Sequence, residues 1–290
     1  MKVDNAIIMA AGTSSRFAPL SYERHKALTL VRNEVLIERQ IRQLKEAGIN
    51  EIFLITGYKA EQFDYLKDRF DVRLIHNPDY LDRNNNGSIW AVKDILKNSY
   101  VCSADNYFSI NPFETETECA YYAAAYAHGQ TDEWCMTEDK NGYIRSVTIS
   151  GRDSWYMYGH TFWDEEFSKG FLKILKEEYD LPETKGKLWE QIFMEHLDAL
   201  KMKIRKYEPG VIYEFDTLDE LRQFDVSYVY DTHSFILKEI AEKLNIKEKD
   251  FVDLKTIKRN TSEAIGFTFT AGNNSYKYLY ETKELIRNEG

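Results

Sequence analysis

Short, almost wholly apolar runs alternate with longer runs that have apolar residues at helical spacing through the first third of the chain. Short apolar runs that end at a glycine or an aspartate are typical of strands buried on both faces of a parallel sheet. The predicted strands are 5–11, 51–56, 72–76 and 99–104, and the predicted helices are 34–46, 60–69 and 88–96. Their alternation predicts a Rossmann-like α/β fold, with a mostly parallel sheet, right-handed crossovers and flanking helices.

The pattern changes between residues 119 and 163, where aromatic and β-branched residues form short runs separated by turn-forming residues. The predicted turns are Lys140-Asn141-Gly142 and Ser150-Gly151-Arg152. We therefore expect added antiparallel strands, which make the sheet mixed. The elements predicted after them are helices at 164–178 and 187–200, a strand at 203–207, and a helix at 218–224 capped by Thr217.

The residues beyond 226 have a different pattern. A helix is predicted at 233–244, and two β-rich runs, 264–270 and 276–280, flank a turn at Gly272-Asn273-Asn274. We therefore predict a main domain of residues 1–226 and a small C-terminal α+β appendage of residues 227–290, made of a helix and a β-hairpin.

Composition and charge exclude several classes of protein. With 43% hydrophobic and 14% aromatic residues, the chain has the composition of a folded protein. Its formal net charge of −10 argues against a nucleic-acid-binding surface, and no apolar run approaches the length of a membrane span. Cys102, Cys119 and Cys135 form no CxxC pair, which favours buried thiols in a reducing compartment. We expect a cytoplasmic protein with no membrane insertion and no nucleic-acid partner.

The turn after the first predicted strand has the composition of a phosphate-binding loop. Small residues allow successive backbone N–H groups to point at one phosphate, and basic side chains add positive charge. The residues concerned are Ala11, Gly12, Thr13, Ser14, Ser15, Arg16 and Phe17, followed by Lys26. The segment matches neither GxGxxG nor GxxxxGK(S/T), so it predicts a different type of phosphate site.

Carboxylates follow the fourth predicted strand and recur near residue 214. Asp105 lies at the carboxyl edge of the predicted sheet, where ligands of open α/β sheets bind. Glu214 and Asp216 alternate in an extended stretch, so their side chains can point the same way. Carboxylate oxygens are preferred ligands of Mg²⁺, and we predict that Asp105 and Asp216 bind it. The alternatives are an Asx turn or helix cap for Asp105 and a solvated acidic turn for Glu214 and Asp216.

Together these residues form a set of motifs that resembles the bacterial CTP:phosphocholine cytidylyltransferases of the nucleotidyltransferase superfamily. The resemblance covers residues 3–226. It rests on the runs 6–26, 55–58, 77–80, 84–88, 104–107, 162–164 and 213–216. The first run is shared by the whole superfamily, including sugar-phosphate nucleotidylyltransferases, whereas the segment 58–107 is typical of the choline branch.

The resemblance implies an enzyme that makes CDP-choline and pyrophosphate from CTP and phosphocholine. It implies that residues 11–17 and Lys26 contact the CTP phosphates, that Gly57, Asn85 and Ser88 flank the base and ribose, and that Asp105 and Asp216 bind Mg²⁺. The phosphate of phosphocholine would attack the α-phosphorus of CTP in line, while Arg16 and Lys26 neutralise charge. A phosphate monoester is already an anionic nucleophile, so no protein nucleophile is required.

The same resemblance implies an aromatic cage for the trimethylammonium group. This group has no N–H donors and is best held by ring faces and a nearby carboxylate. The candidates are Trp134 beside Glu133, Trp189 beside Glu190, Tyr107 and Glu214, with Trp155, Tyr158 and Trp163 as further aromatic residues. Leu188 stands where the family tends to place another aromatic residue.

Several alternatives stay open at this point. The acceptor can instead be 2-aminoethylphosphonate, phosphoethanolamine or a sugar 1-phosphate, or the chain can be a non-catalytic nucleotide- or choline-binding protein. The run 257–261, with 267–269 and 276–278, resembles the first strands of a choline-kinase-like lobe. Without an HxD loop or a DFG-like aspartate, kinase activity is not expected. The appendage is then a remnant of such a lobe, a lid, or an element that forms a homodimer.

Overall fold

The computed structural model describes residues 1–259 and 264–288. Its strands are β1 (Asn5–Ala10), β2 (Leu30–Val31), β3 (Glu34–Val35), β4 (Ile52–Thr56), β5 (Arg73–His76), β6 (Ser99–Ser103), β7 (Asn106–Phe108), β8 (Tyr121–Glu138), β9 (Ile144–Trp163), β10 (Lys203–Lys206), β11 (Ile212–Glu214), β12 (Val252–Lys258), β13 (Ala264–Ala271), β14 (Asn274–Leu279) and β15 (Leu285–Arg287). Its helices are α1 (Leu20–Glu23), α2 (Leu36–Glu46), α3 (Tyr65–Phe70), α4 (Asn86–Ala91), α5 (Glu165–Glu178), α6 (Trp189–Glu195), α7 (Leu218–Phe224), α8 (Ser227–Tyr230) and α9 (Phe235–Leu244).

The central sheet has the strand order β10-β8-β9-β6-β1-β4-β5. Strand β1 lies between β6 and β4 and is parallel to both, with Ala6 opposite Ile52 and Asn5 opposite Ser99. Strand β4 is also parallel to β5, whereas β9 runs antiparallel to both β6 and β8. The predicted fold class, a mixed and mostly parallel sheet with flanking helices, is therefore confirmed.

Local sequence explains why these elements form where they do. Strand β4 is buried at every position, as expected for an apolar strand in a parallel sheet covered by helices. Helix α5 begins after Asp164, whose carboxylate accepts a hydrogen bond from Phe167 N (2.8 Å). Helix α7 begins after Thr217, whose hydroxyl oxygen accepts from Glu220 N (3.2 Å). Both residues are N-caps, and the cap at Thr217 is the predicted one.

The region predicted as several short antiparallel strands forms one long hairpin of β8 and β9. The predicted turn at 140–142 is confirmed, because it joins these two strands. The predicted turn at Ser150-Gly151-Arg152 is wrong, because these residues lie inside β9. Ser150 has a φ of 67°, and the pairing register shifts nearby. The turn-forming residues at 150–152 therefore mark an irregularity within one strand and not a turn between two strands.

The chain separates into two compact units that do not follow chain order. The first contains Met1–Gly12 and Ile37–Glu214, and the second contains Thr13–Leu36 together with the described residues from Phe215 onward. The first unit holds the central sheet and the β7–β11 pair, and the second holds the β2–β3 pair and the C-terminal sheet. The division after residue 226 that the sequence suggests stays a prediction.

One core cluster of the first unit lies between the central sheet and helices α5 and α6. Its largest side chains are aromatic and pack edge to face, as with Trp163 and Trp189, whose ring centroids are 4.9 Å apart. Phe167, Phe171 and Phe193 complete this aromatic layer. Within residues 1–259 and 264–288, no helix is both long enough and apolar enough to cross a membrane.

The second unit contains an antiparallel sheet with the order β12-β13-β14-β15. The predicted hairpin is confirmed as β13 and β14, and Gly272 in its turn has a φ of 59°. The predicted helix is α9, capped by Ser234. Strand β15 was not predicted, and the end of β12 falls in the run 257–261, whose likeness to a strand of a kinase lobe was the only signal for it. Asn260 and Thr261, which are part of the run that resembles a kinase lobe, lie outside the described residues.

Candidate active site

The carboxyl ends of β1, β4 and β6 meet at one edge of the central sheet, because the three strands are parallel neighbours. The loop after β4 comes very close to the loop after β1, and Tyr58 N donates to Ala11 O (3.0 Å). A Cβ atom on Gly57 would lie 2.6 Å from Cγ of Tyr80 and 2.7 Å from Ala11 O. The close approach of these loops therefore requires glycine at position 57.

Gly12 lies in a different environment from Gly57. A Cβ atom on Gly12 would have no atom of the described residues within 4 Å, and its φ lies outside the left-handed region. The fold therefore does not itself require glycine at this position. The predicted phosphate contact brings a ligand close to the backbone at this turn. Such a close approach would require glycine at position 12.

The turn that follows Gly12 has a strained backbone. Ser14 has a φ of 47° and a ψ of 41°, in the left-handed region that favours glycine. Its carbonyl accepts from Phe17 N (3.0 Å), and Ser15–Phe17 form a short 3₁₀ turn. Strained backbone of this kind concentrates at binding sites. The predicted phosphate-binding residues from Thr13 to Phe17 thus form a defined turn in the second compact unit.

Arg16 and Lys26 share one carboxylate within that unit. Arg16 Nη1 lies 2.8 Å from Asp216 Oδ2, and Lys26 Nζ lies 3.1 Å from Asp216 Oδ1. The Lys26 side chain is 3% exposed and the Arg16 side chain is 74% exposed. Asp216 therefore stabilises a buried ammonium that needs a partner of opposite charge, while the exposed guanidinium is able to move toward a ligand.

Asp105 and Glu214 lie side by side in the first unit. Strand β11 pairs with β7 so that Glu214 is opposite Asn106, the residue after Asp105. A carboxylate oxygen of Asp105 lies within 4.8 Å of one of Glu214, and both residues are partly buried. Closely spaced carboxylate oxygens are a donor set that suits Mg²⁺. Asp216, the other predicted ligand, follows Glu214 by two residues in the chain.

Side-chain amides hold the start of helix α4. Asn85 Nδ2 donates to Glu190 Oε2 (3.0 Å), and Asn85 Oδ1 accepts from Trp189 N (2.7 Å). Ser88 is buried, and its hydroxyl oxygen accepts from Asn77 Nδ2 (3.3 Å). Asn85, just before α4, and Ser88, in its first turn, therefore each have a partner inside the protein. Their predicted contacts with the base and ribose stay predictions.

Glu190 is a carboxylate held largely away from water. Its Oε1 accepts from the Tyr122 hydroxyl (3.3 Å), and its Oε2 accepts from Asn85. Burial raises the pKa of Glu190 to about 7, although the hydrogen bonds from Asn85 and Tyr122 act in the opposite direction. The folded chain therefore keeps a proton on this carboxyl at pH values where the unfolded chain has lost it.

We expect Glu190→Gln to become stabilising relative to wild type as the pH rises from about 5 to about 8. Protonated Glu190 makes its full contribution to the free energy of unfolding at pH values below the pKa that this carboxyl has in the unfolded chain. That contribution is lost as the pH rises through about 7, whereas glutamine stays neutral. The difference in the free energy of unfolding should grow by about 2 kcal/mol across this range. Urea denaturation at both pH values measures it. Glu195→Gln, on the same helix, is the control, and an equal trend in that variant would show that burial of Glu190 is not the cause.

Three tyrosines and two glutamates form what we call the tyrosine–glutamate cluster: Tyr122, Tyr156, Tyr158, Glu133 and Glu214. The rings of Tyr156 and Tyr158 are 5.3 Å apart, and the Tyr158 hydroxyl oxygen accepts from Glu214 N (2.8 Å). Burial, and then the charges of Glu133 and Glu214, raise the pKa of Tyr156. Burial and Glu214 also raise the pKa of Tyr158, and burial, Glu190 and Glu214 raise that of Tyr122. Neutral phenol rings next to carboxylates are a favourable setting for an organic cation.

The predicted cage residues occupy different environments. Trp134 lies on β8 opposite Ile149 and is partly buried. Trp189 is 1% exposed and packs in the core, with its ring stacked on Tyr122 at 5.8 Å. Tyr107 is buried, and the Arg39 guanidinium lies 4.6 Å from its ring centroid. Trp189 and Tyr107 thus already have partners on their rings, whereas Trp134 is partly accessible.

Comparison with known proteins identifies the family. The model of the MobA-like NTP transferase domain matches residues 6–141. The choline-phosphate cytidylyltransferase of Streptococcus pneumoniae is 34% identical over 220 residues, which are 76% of this chain and 96% of that protein. The chain belongs to the choline-phosphate cytidylyltransferase family. The 2-aminoethylphosphonate cytidylyltransferase of Lancefieldella rimae is 33% identical over 78% of this chain and 94% of that protein.

The structural comparison agrees with this assignment to the choline-phosphate cytidylyltransferase family. The solved structure of the CTP:phosphocholine cytidylyltransferase from Streptococcus pneumoniae superposes with a TM-score of 0.73 at 34% identity. The superposition covers 77% of this chain and 97% of that one. The resemblance found in the sequence is therefore confirmed, and the chain is an enzyme of the nucleotidyltransferase class.

The structure adds residues to the site of this cytidylyltransferase-family chain that sequence reasoning missed. Tyr156 and Tyr122 belong to the tyrosine–glutamate cluster but were not among the predicted residues. Tyr156 and Tyr158 occupy alternate positions of β9 and so face the same side of the strand. That alternation was the available signal for Tyr156. Tyr122 gave no such signal, because its closeness to Glu190 depends on the packing of α6.

Proposed function

We propose that this chain transfers the cytidylyl group of CTP to phosphocholine, with release of pyrophosphate and formation of CDP-choline. The observation that carries this proposal is the tyrosine–glutamate cluster at the carboxyl side of the sheet. The family assignment supports the same reaction, because the S. pneumoniae relative is a choline-phosphate cytidylyltransferase.

A quaternary ammonium and the tyrosine–glutamate cluster match in chemistry. The trimethylammonium group cannot donate hydrogen bonds, so it is attracted by the negative faces of aromatic rings and by net negative charge. Tyr156 and Tyr158 are only partly buried, which leaves ring surface for a ligand. Glu214 raises the pKa of both tyrosines through its charge, and we propose that it supplies the negative charge. We propose that Trp134 adds a further ring to this cluster.

The phosphates of CTP require positive charge and backbone N–H groups. We propose that the turn 11–17 supplies the N–H groups and that Arg16 and Lys26 neutralise the charge that develops as pyrophosphate leaves. The phosphate of the acceptor is the nucleophile, so the protein's task is to align two anionic groups. Asp105 and Asp216 would hold Mg²⁺, which supplies additional positive charge at the phosphate oxygens when bound.

Pyrophosphate release with Mg²⁺ tests the proposed reaction. CTP, UTP, ATP and GTP are each combined with phosphocholine, phosphoethanolamine, 2-aminoethylphosphonate and glucose 1-phosphate. We expect release with CTP and phosphocholine at a kcat/KM at least about tenfold above that of CTP with any other acceptor, since a bound quaternary ammonium gains about 1 to 2 kcal/mol from a desolvated aromatic site. Release with a sugar phosphate, or none with any pair, would contradict the proposal.

A primary ammonium is the main rival for the acceptor site. One relative is named a 2-aminoethylphosphonate cytidylyltransferase, and Glu133, Glu190 and Glu214 lie around the same tyrosines. Carboxylates are the hydrogen-bond acceptors that a primary ammonium needs and a quaternary one does not use. A preference for 2-aminoethylphosphonate in the same assay would keep the reaction type and assign the glutamates to N–H recognition.

A further inference from the structure

The segment 13–36 carries both cations of the proposed phosphate site, yet it belongs to the same compact unit as the C-terminal residues. Arg16 and Lys26 lie in this segment. About a quarter of the chain lies outside the alignment with the S. pneumoniae relative, although this chain spans 96% of that protein. The contacts between the segment and the C-terminal residues lie within this one unit.

The edge strand of the C-terminal sheet reaches the phosphate-binding turn. Strand β12 pairs on one side with β13, with Thr256 opposite Phe267. The Thr256 hydroxyl donates a hydrogen bond to Ser15 O. Ser15 lies between Ser14, which has a left-handed backbone, and Arg16. A turn of so few residues makes few hydrogen bonds of its own, so an external donor restricts its conformation.

Two more contacts hold the segment just before Lys26. The Glu23 carboxylate accepts from Phe235 N (2.8 Å), Ile236 N (3.1 Å) and the Ser234 hydroxyl, and so caps the N-terminus of α9. The ring of Tyr22 stacks on that of Tyr280 at 3.7 Å, with 7° between the planes. Helix α9 and the C-terminal sheet thus fix the end of α1.

The segment is also held just after Lys26. The Tyr228 hydroxyl donates to Leu30 O (2.6 Å), and Arg32 N donates to Asp225 Oδ2 (2.7 Å). The Arg32 guanidinium lies 3.9 Å from the Phe224 ring centroid. Residues of α7, α8, α9 and the C-terminal sheet therefore contact the segment on both sides of Lys26.

We propose that the C-terminal residues from 217 onward are a positioning element for the nucleotide phosphates, with Thr256 as the positioning residue for the turn 13–17. This inference rests on the proposed function, in which that turn and Lys26 contact the phosphates of CTP. Thr256 acts through Ser15 O, which sets the direction of the N–H groups and of Arg16. The C-terminal element thus contributes to CTP binding through the conformation of this turn.

The full-length variant Thr256→Val tests the proposal, because valine keeps the shape and the β-branching of threonine and removes only the donor. We expect the KM for CTP to rise about fivefold, in line with the loss of one hydrogen bond, with the KM for phosphocholine unchanged. Thr256→Ser should restore the wild-type KM. Thr268→Val, in the neighbouring strand β13, is the matched control because the Thr268 hydroxyl donates to Lys255 O and not to the turn.

Amide hydrogen exchange provides a readout that does not depend on activity. In Thr256→Val, peptides covering residues 13–19 should exchange faster than in wild type and in Thr268→Val, with a melting temperature within about 4 °C of wild type. Unchanged exchange in these peptides would overturn the proposal whether or not the enzyme is active. Faster exchange with an unchanged KM for CTP would also overturn it. A wild-type chain with no turnover on any substrate pair would instead contradict the proposed function.

Discussion

Replacement of Lys26 by methionine should lower kcat by about two to three orders of magnitude and leave the fold intact. The Lys26 ammonium is buried and close to the turn that carries Arg16, where we propose that the leaving pyrophosphate gains negative charge. A fixed positive charge in a site shielded from water stabilises such a transition state by about 3 to 4 kcal/mol. Methionine keeps the length of the side chain, and Asp216 keeps its ion pair with Arg16 (2.8 Å).

Steady-state kinetics with varied CTP separates the roles of Lys26. An equal fall in kcat and kcat/KM would mean that the charge acts in the transition state. An increase in the KM for CTP alone would contradict this and assign Lys26 to ground-state binding. Lys67→Met is the control, because it removes another lysine–aspartate pair (2.6 Å to Asp64) that lies outside both the segment 13–36 and the C-terminal residues.

The parallel part of the fold could be predicted because its signal is local. A strand buried on both faces must be apolar at nearly every position, wherever it lies in the chain. β1 and β4 satisfy this rule and were predicted to within a residue at each end. Helix ends were predicted less well. The apolar pattern continues through Leu96, but α4 ends at Ala91, because buried apolar residues follow the helix without belonging to it.

The candidate site could be predicted only where the residue type implies the chemistry. Arg16, Lys26 and Asp216 were predicted from their charges, and the structure brings them together. Trp189 was predicted from the family resemblance, with Glu190 beside it, but sequence does not show which side of a short helix faces the core. In the structure the Trp189 ring lies in the core, whereas the Glu190 carboxylate contacts Tyr122.

The grouping of segment 13–36 with the C-terminal residues had no local signal. Ser15 and Thr256 are 241 residues apart, and β12 contains charged residues at positions that do not follow a buried-strand pattern. Such a contact depends on how two distant parts of the chain pack. Periodicity describes one element at a time, so it cannot reveal which element lies against which loop.

Replacement of Asp105 by asparagine should abolish metal-dependent turnover. Asp105 follows β6 at the carboxyl edge of the sheet, and its carboxylate lies within 4.8 Å of that of Glu214. Asparagine has the same shape but lacks the negative charge that a hard divalent cation needs. We expect kcat/KM to fall by at least about three orders of magnitude. Without the Asp105 carboxylate Mg²⁺ binds weakly, and its positive charge no longer neutralises the phosphates.

Two measurements distinguish loss of the cation from loss of the fold. Pyrophosphate release is followed while Mg²⁺ is titrated, and Mn²⁺ binding is measured directly, since manganese accepts the same oxygen ligands and is detectable by its paramagnetism. Asp105→Asn should bind Mn²⁺ more weakly and keep the wild-type melting temperature. Asp94→Asn, whose side chain is 89% exposed, is the control and should match wild type in both. Full activity in Asp105→Asn would refute the metal assignment, because a ligand carboxylate cannot lose its charge without weakening cation binding.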